Sequence, residues 1–205
     1  MKAAPRPARR HKPAAERRDE ILKATLTILA EDGLHAWTTA RLAARVGVSE
    51  AGLFRHFASK EEILLSAVSG AADELRARVQ GYQGRGDAWE RARGLVLTVL
   101  DFVEQTGGAP LVLLSGHVAQ VSEAIRRKAE ETQRVLHARM TALFREAQAG
   151  HGRPVDAARL ADLAVAVTQS AGMRWMLSGR RLPLRRTAME MLELLKRCLG
   201  NHLET

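Results

Sequence analysis

Residues 38–63 read TTARLAARVGVSEAGLFRHFASKEEI, and the spacing of residues in this segment is the strongest indication of the fold. Thr38 or Thr39 can cap a first short helix, because a threonine hydroxyl accepts a hydrogen bond from a free amide of the first turn. Ala43, Gly47 and Leu53 then follow at relative positions 0, +4 and +10, the spacing of a helix-turn-helix. The alanine lets two helices cross closely, the glycine supplies a positive φ for the turn, and the leucine locks the second helix onto the first. The stretch therefore predicts a helix-turn-helix.

The helix after the turn is predicted to show a polar outer face. It is expected over residues 50–57, with Ser49 as N-cap and with Leu53, Phe54 and Phe57 turned inward. A recognition helix must present short or polar side chains outward so that they can reach base edges in the major groove. The predicted outward residues meet that need: Ser49, Glu50, Ala51, Gly52, Arg55 and His56.

The rest of the chain also has the pattern of helices. Apolar residues recur at spacings of three and four on both sides of the motif, without strand-like alternation or a repeat of 20–50 residues. Ser59 and Glu62 form a capping box that opens a long fourth helix, and a short apolar helix is expected over 111–120. We predict an all-α fold of about nine helices. Its expected parts are a disordered basic arm at 1–16, a three-helix helix-turn-helix domain at 17–65 and a helical dimerisation and ligand domain at 66–205.

Composition and charge limit the classes of function that we expect for this chain. The 205 residues carry 46% hydrophobic and 4% aromatic side chains and a net charge of +9, which fits a helical protein that meets a polyanion. The lone Cys198 excludes an internal disulfide and a cysteine-based zinc site. The histidines lack metal-ligand spacing, and no catalytic or nucleotide-binding motif occurs, so we expect no metal, no cofactor and no enzyme activity. Without a signal-peptide core or an apolar span, a cytoplasmic, nucleoid-associated protein is expected.

Residues 17–67 closely resemble the DNA-binding domain of TetR-family transcriptional regulators. The likeness rests on the segments at 21–24, 38–49, 53–57 and 59–63, namely ILKA, TTARLAARVGVS, LFRHF and SKEEI. It implies a homodimer that places one helix-turn-helix in each of two successive major grooves of a palindromic operator on double-stranded DNA. It also implies a repressor that responds to a small-molecule effector. The chain departs from the family at Phe54, where tyrosine is common, and so lacks one phosphate hydrogen bond.

Contacts with DNA are predicted for both helices of the motif and for the start of the fourth. Thr38 and Thr39 can hold a phosphate, and the resemblance places Lys60 at another. Arg55 can reach a guanine edge or a phosphate, whereas Glu50 either reads a cytosine amine or forms a nearby ion pair. The full predicted set is Thr38, Thr39, Arg41, Arg45, Ser49, Glu50, Ala51, Gly52, Phe54, Arg55, His56 and Lys60.

Two further sites are expected in the second domain. A stripe of small residues predicts a dimer seam with the last helix, with packing inside one chain as the alternative. The seam residues are Ala157, Ala161, Ala164, Thr168, Ala171, Leu192, Leu195 and Leu199. A second set could surround an effector pocket or be ordinary core, namely Phe102, Leu113, His117, Met140, Phe144 and Trp175.

A narrower resemblance leaves a second function open. The segment 38–51 and residues 114–117 are similar to the nucleoid-occlusion subgroup of the family, whose members bind DNA and antagonise the division protein FtsZ. The stretch DFVEQTGG at 101–108 departs from that subgroup's glycine- and arginine-containing sequence. The sequence therefore favours the repressor and keeps FtsZ as a partner only under the alternative.

Overall fold

A computed structural model describes residues 13–109, 111, 122–149 and 156–203, and these residues form eight α-helices and no strand. The all-α prediction is therefore confirmed, while most of the short helix expected at 111–120 lies outside the described residues. No helix in the described part combines the length and apolar character needed to cross a bilayer. The helices are α1 (Ala14–Ala36), α2 (Thr39–Val46), α3 (Glu50–Leu53), α4 (Lys60–Gly81), α5 (Ala88–Gln105), α6 (Glu123–Ala147), α7 (Ala157–Leu177) and α8 (Leu184–Leu203).

The first helix begins earlier than the sequence suggested. Pro13 precedes α1, which starts at Ala14, so Ala14–Glu16 are helical although we expected them in a disordered arm. Gly33 adopts φ 77° and ψ 178° and kinks the helix near its end. Residues 1–12 of the expected arm lie outside the described part of the chain.

The third helix is shorter than predicted. Regular helix spans Glu50–Leu53, and a turn continues to residue 56. The Phe54 amide donates to the Glu50 carbonyl at 3.3 Å and the Phe57 amide to the Leu53 carbonyl at 3.2 Å. The prediction that Phe54 turns inward is wrong, because its side chain is 44% exposed. Residue 54 lies about 100° around the helix from Leu53, which takes the core position and leaves Phe54 outside.

Two apolar cores organise the helices. The first gathers α1 to α4 around Ile21, Leu42, Leu53 and Phe57, and it includes Ile125 from α6. The second lies where α5 contacts α4, α6, α7 and α8. Because Ile125 comes from the predicted second domain yet is 1% exposed in the first core, the two parts of the chain are packed together by apolar contact.

Candidate nucleic-acid interface

The turn between α2 and α3 has the geometry that its sequence predicts. The Thr38 hydroxyl accepts a hydrogen bond from the Arg41 amide at 3.2 Å and so caps α2. Gly47 is left-handed, with φ 72° and ψ 38°, and the Val48 amide donates to the Ala43 carbonyl at 2.9 Å. This is the Schellman arrangement that ends a helix sharply. The helix-turn-helix is therefore confirmed, with Ala43 and Leu53 buried between its helices.

Side-chain caps fix the two helices that follow. The Ser49 hydroxyl accepts from the Gly52 amide at 3.1 Å, and the Ser59 hydroxyl accepts from the Glu62 amide at 3.0 Å. The Glu62 carboxylate reaches back to the Ala58 amide at 2.5 Å, one residue beyond the position usual in a capping box. Each cap satisfies an amide that the helix leaves free and fixes where the helix begins.

The outer face of α3 and its following turn is largely open to solvent. Glu50, Ala51, Phe54 and Arg55 are exposed, while His56 is half-buried. Among the described residues no hydrogen bond or ion pair engages the Arg55 guanidinium, so it is available to a base edge or a phosphate.

Glu50 is held by a neighbour of its own chain. Its carboxylate accepts a hydrogen bond from the Thr39 hydroxyl at 2.5 Å, which joins the start of α2 to the start of α3. No ion pair involves Glu50 among the described residues, and the predicted contact with a cytosine amine stays a prediction. The same hydrogen bond occupies the hydroxyl that we expected on a phosphate, so a phosphate contact from Thr39 requires that the Glu50 carboxylate give up this donor.

Two arginines predicted to meet DNA are paired with acidic residues of α1. Arg41 donates to the Asp32 carboxylate at 2.5 Å and Arg45 to the Glu31 carboxylate at 2.6 Å. Both arginines remain partly exposed, with side-chain exposures of 47% and 39%. The hydrogen bond from Arg45 lowers the pKa of the Glu31 carboxyl from its usual value, although burial opposes the shift. A phosphate must compete with these carboxylates for either guanidinium.

Two residues outside the predicted set support the interface from behind. Trp37 is 2% exposed, and the Lys60 ammonium lies 5.2 Å from its ring centroid, close enough for a cation–π interaction. Arg18 lies 4.0 Å over the Phe57 ring and donates to the His56 carbonyl, which holds the end of the recognition turn onto α1. No local pattern signals the Arg18 contact, because it joins residues 38 positions apart.

The residues predicted to line an effector pocket are mostly core. Phe102, Met140, Phe144 and Trp175 are between 1% and 7% exposed in the second core. Leu113 and His117 lie outside the described residues. Of the four, Phe102 also borders a cavity of about 470 Å³ between α1 and the end of α5, beside Leu26, Thr106 and Arg180.

A second cavity of similar volume lies between α6 and α7. It surrounds His137 and Asp162, whose imidazole nitrogen and carboxylate oxygen are 3.0 Å apart. Both cavities fall within the usual size range of small-molecule sites.

The small-residue stripe of α7 packs inside its own chain. Ala161, Ala164, Thr168 and Ala171 are at most 6% exposed, and Ala157 packs against the same core. On α8, Leu192 is buried and Leu195 is half-buried, while the side chain of Leu199 lies outside the described set. Because Ala161, Ala164, Thr168 and Ala171 are already buried in one protomer, they leave no surface for a partner, and the structure does not support a dimer seam through them. Internal packing, the alternative, is what the structure shows.

A different stripe of α7 faces solvent. Leu163, Ala166, Ser170, Met173 and Leu177 recur at spacings of three and four on the exposed side of the helix. Leu163, Met173 and Leu177 are 48%, 43% and 80% exposed. On α8, Leu194 is 60% exposed. We call these six residues the outer α7–α8 face, and its large exposed apolar side chains are those that a helical partner would cover.

Comparison with known proteins identifies the first domain. Residues 21–67 match the sequence model of the tetR family of bacterial regulatory proteins, and this range includes the helix-turn-helix. The chain is also 41% identical over 103 residues to the nucleoid occlusion factor SlmA of Edwardsiella ictaluri. That match covers 49% of this chain and 52% of the relative, so the chain spans about half the length of the curated relatives it matches.

Solved structures share the fold over nearly the whole chain. A TetR transcriptional regulator from Chloroflexus aurantiacus superimposes with a TM-score of 0.72 at 21% identity, covering 89% of this chain and 96% of that one. A transcriptional regulator from Saccharomonospora viridis in complex with choline gives a TM-score of 0.68 at 23% identity, covering 89% and 96%. At these identities the likeness establishes the fold alone.

Proposed function

We propose that this chain, a TetR-family protein with its DNA-binding domain at residues 21–67, is a sequence-specific transcriptional regulator that binds a palindromic operator as a homodimer. The observation that carries the proposal is the capped helix-turn-helix, whose exposed Arg55 has no polar partner in the described part of the chain. A rigid helix start with one free guanidinium on its outer face suits base reading in a major groove.

Phosphate contacts complete the interface. The free amides at the start of α2, beside Thr38, form a site that attracts an anion. Lys60 stands at the start of α4 with its ammonium over Trp37, which positions a charge without neutralising it. We assign positioning on the DNA backbone to these groups and base discrimination to Arg55.

The outer α7–α8 face supports the homodimer. Its large apolar side chains are exposed in one chain, and a second copy related by a twofold axis would cover the same residues on both sides. Burial of such side chains is the main favourable contribution to helix association in water. The proposed seam is therefore the outer stripe of α7 together with Leu194, in place of the buried alanine stripe.

An effector site is proposed at the cavity between α1 and the end of α5. This cavity touches both the DNA-binding domain and the helical domain, through Leu26 on one side and Phe102 and Arg180 on the other. A ligand that fits better in the free protein than in the DNA-bound one would release DNA, and DNA would weaken that ligand by the same factor. Repression relieved by a small molecule follows from this linkage.

Chromatin immunoprecipitation with sequencing tests the proposed function in the cell. A ligand-responsive repressor predicts a few sites clustered upstream of promoters, including that of its own gene. A strain carrying Arg55→Ala is the matched control, and it should lose those sites while keeping normal protein levels. Sites spread along the chromosome without regard to promoters would contradict the repressor.

The second candidate function is nucleoid occlusion. It is favoured by the 41% identity to SlmA factors over 103 residues. The divergent segment 101–108 forms ion pairs with Arg185 of α8. The Arg185 guanidinium lies 2.5 Å from an Asp101 carboxylate oxygen and 3.5 Å from a Glu104 carboxylate oxygen. Co-sedimentation with FtsZ polymers in the presence and absence of specific DNA distinguishes the two functions. DNA-stimulated binding to FtsZ would favour nucleoid occlusion, and its absence would favour the repressor.

A further inference from the structure

Glu31 lies between the helix-turn-helix and the helical domain. One oxygen of its carboxylate accepts a hydrogen bond from Arg45 of α2 at 2.6 Å. The other oxygen is 4.0 Å from the guanidinium of Arg180, which belongs to the turn between α7 and α8. A single carboxylate at the end of α1 therefore faces one cation from each domain.

The turn that carries Arg180 is held in an unusual conformation. Arg180 has φ 65°, and it is the one non-glycine residue with positive φ in the described part of the chain. Its amide donates to the Trp175 carbonyl at 2.8 Å, and its guanidinium donates to the Gly107 carbonyl at 2.8 Å. An L-residue keeps such a backbone only where its surroundings impose it. The contacts with Trp175 and Gly107 fix where the guanidinium stands relative to Glu31.

The end of α1 neutralises the two arginines that α2 turns outward. Asp32 pairs with Arg41 as Glu31 pairs with Arg45. DNA phosphates would otherwise attract both guanidinium groups, and each carboxylate would also repel a phosphate that came near. Arg180 attracts the same Glu31 carboxylate as Arg45 does. It therefore weakens the attraction between Glu31 and Arg45.

We propose that Glu31 restrains Arg45 from the DNA backbone and that Arg180 weakens this restraint, so that the position of the α7–α8 turn sets the affinity for DNA. The inference rests on the proposed function, because it concerns regulation of the same interface. Its chemical content is a competition of two guanidinium groups for one carboxylate. Glu31 is here a positioning residue that acts on DNA through Arg45. The cavity at the end of α5 is also lined by Arg180, so an occupant there can reach this competition directly.

Fluorescence anisotropy with the full chain and a labelled duplex tests the inference, using Glu31→Gln, Arg180→Gln and the double variant at several salt concentrations. Glu31→Gln should tighten binding about threefold to tenfold and steepen the salt dependence by about one phosphate contact, because Arg45 becomes free. Arg180→Gln should weaken binding about twofold to fivefold in the otherwise unchanged chain. In the Glu31→Gln background the same change should have less than about a 1.5-fold effect, since the shared carboxylate is gone.

Asp19→Asn is the matched control. It removes a carboxylate from the same helix, about three turns earlier, where the partner is Lys23 and not an arginine of the motif. It should change DNA affinity less than Glu31→Gln and leave the salt dependence unaltered. Thermal unfolding of each variant checks that the fold is retained.

The outcomes separate this inference from the proposed function. If the unchanged chain fails to bind any duplex, the proposed function fails. If it binds and Glu31→Gln binds no tighter, or if Arg180→Gln weakens binding equally in both backgrounds, the inference is overturned. Loss of the Arg180 effect in the Glu31→Gln background supports it, because a purely long-range charge effect would persist there.

Discussion

Replacing Leu177 by alanine should dissociate the proposed dimer. Leu177 lies at the end of the outer stripe of α7 and is 80% exposed in the single chain, which leaves its side chain available to a partner. In a twofold-symmetric dimer each substitution removes the same contact twice. The helix itself should tolerate the change, because alanine is the residue most compatible with an α-helix.

The expected magnitude follows from the exposed fraction. Leucine to alanine removes three carbons, each worth about 0.8 kcal/mol on burial, and the 80% exposed fraction limits the gain to about 2 kcal/mol per copy. The dimer contains Leu177 twice, so the substitution lowers its free energy of association by about 4 kcal/mol if the partner covers each side chain fully. The loss is about 2 kcal/mol if the partner covers half of each side chain. The dimer Kd should therefore rise about 30-fold to 800-fold.

Sedimentation velocity over a concentration series measures this change. Leu182→Ala is the control, because Leu182 is also an exposed leucine, at 37%, but stands in the turn outside the stripe. We expect the control to keep the dimer Kd of the unchanged chain within about threefold, in line with ordinary surface substitutions. The proposed dimer seam is wrong if Leu177→Ala sediments as the unchanged chain does, or if the unchanged chain is a monomer at micromolar concentration.

Three further predictions concern the interface. Lys60→Ala should weaken binding to specific and random duplexes alike and reduce the salt slope by about 1, as titrations at several salt concentrations would show; a sequence-dependent loss would contradict a phosphate role. Arg55→Ala should lower discrimination at one base position by about 1–3 kcal/mol in competition binding, and an equal loss on all duplexes would instead mark a phosphate contact. Because the hydrogen bond from Arg45 holds the pKa of the Glu31 carboxyl below its usual value, the stability that this pair contributes is present above the usual pKa of a glutamate and is lost as pH falls through the lower pKa of the folded state. Acid unfolding of Glu31→Gln should lack that contribution, and an unchanged acid transition would count against the pair.

Patterns of residues close together in the sequence were sufficient to predict the helix-turn-helix. Thr38, Ser49 and Ser59 cap their helices as predicted, because a cap depends on residues within one helical turn. Gly47 adopts the left-handed conformation for the same reason, since the turn it forms involves only its neighbours. These positions place the recognition residues without knowledge of the rest of the chain.

Contacts between residues that are far apart in the sequence could not be predicted from it. Helix α7 carries two stripes of residues at spacings of three and four, and the pattern alone does not show which stripe faces the core. The alanine stripe faces the core because small residues allow close packing with α5 and α6. Arg41 and Arg45 looked free because their carboxylates are 9 and 14 residues away on α1. Phe54 looked like core because its type is apolar, although its position on the turn faces outward.

Selection from a pool of random duplexes at about 0.15 M salt tests whether a symmetric dimer of this chain binds DNA sequence-specifically. We expect enrichment of an inverted repeat whose half-site centres lie about 34–36 Å apart, one turn of the duplex. The selected duplex should bind one dimer, with Arg55→Ala losing preference at a single position in each half-site. If the selected pool contains no enriched motif and is bound no more tightly than random DNA, the chain does not recognise a specific operator.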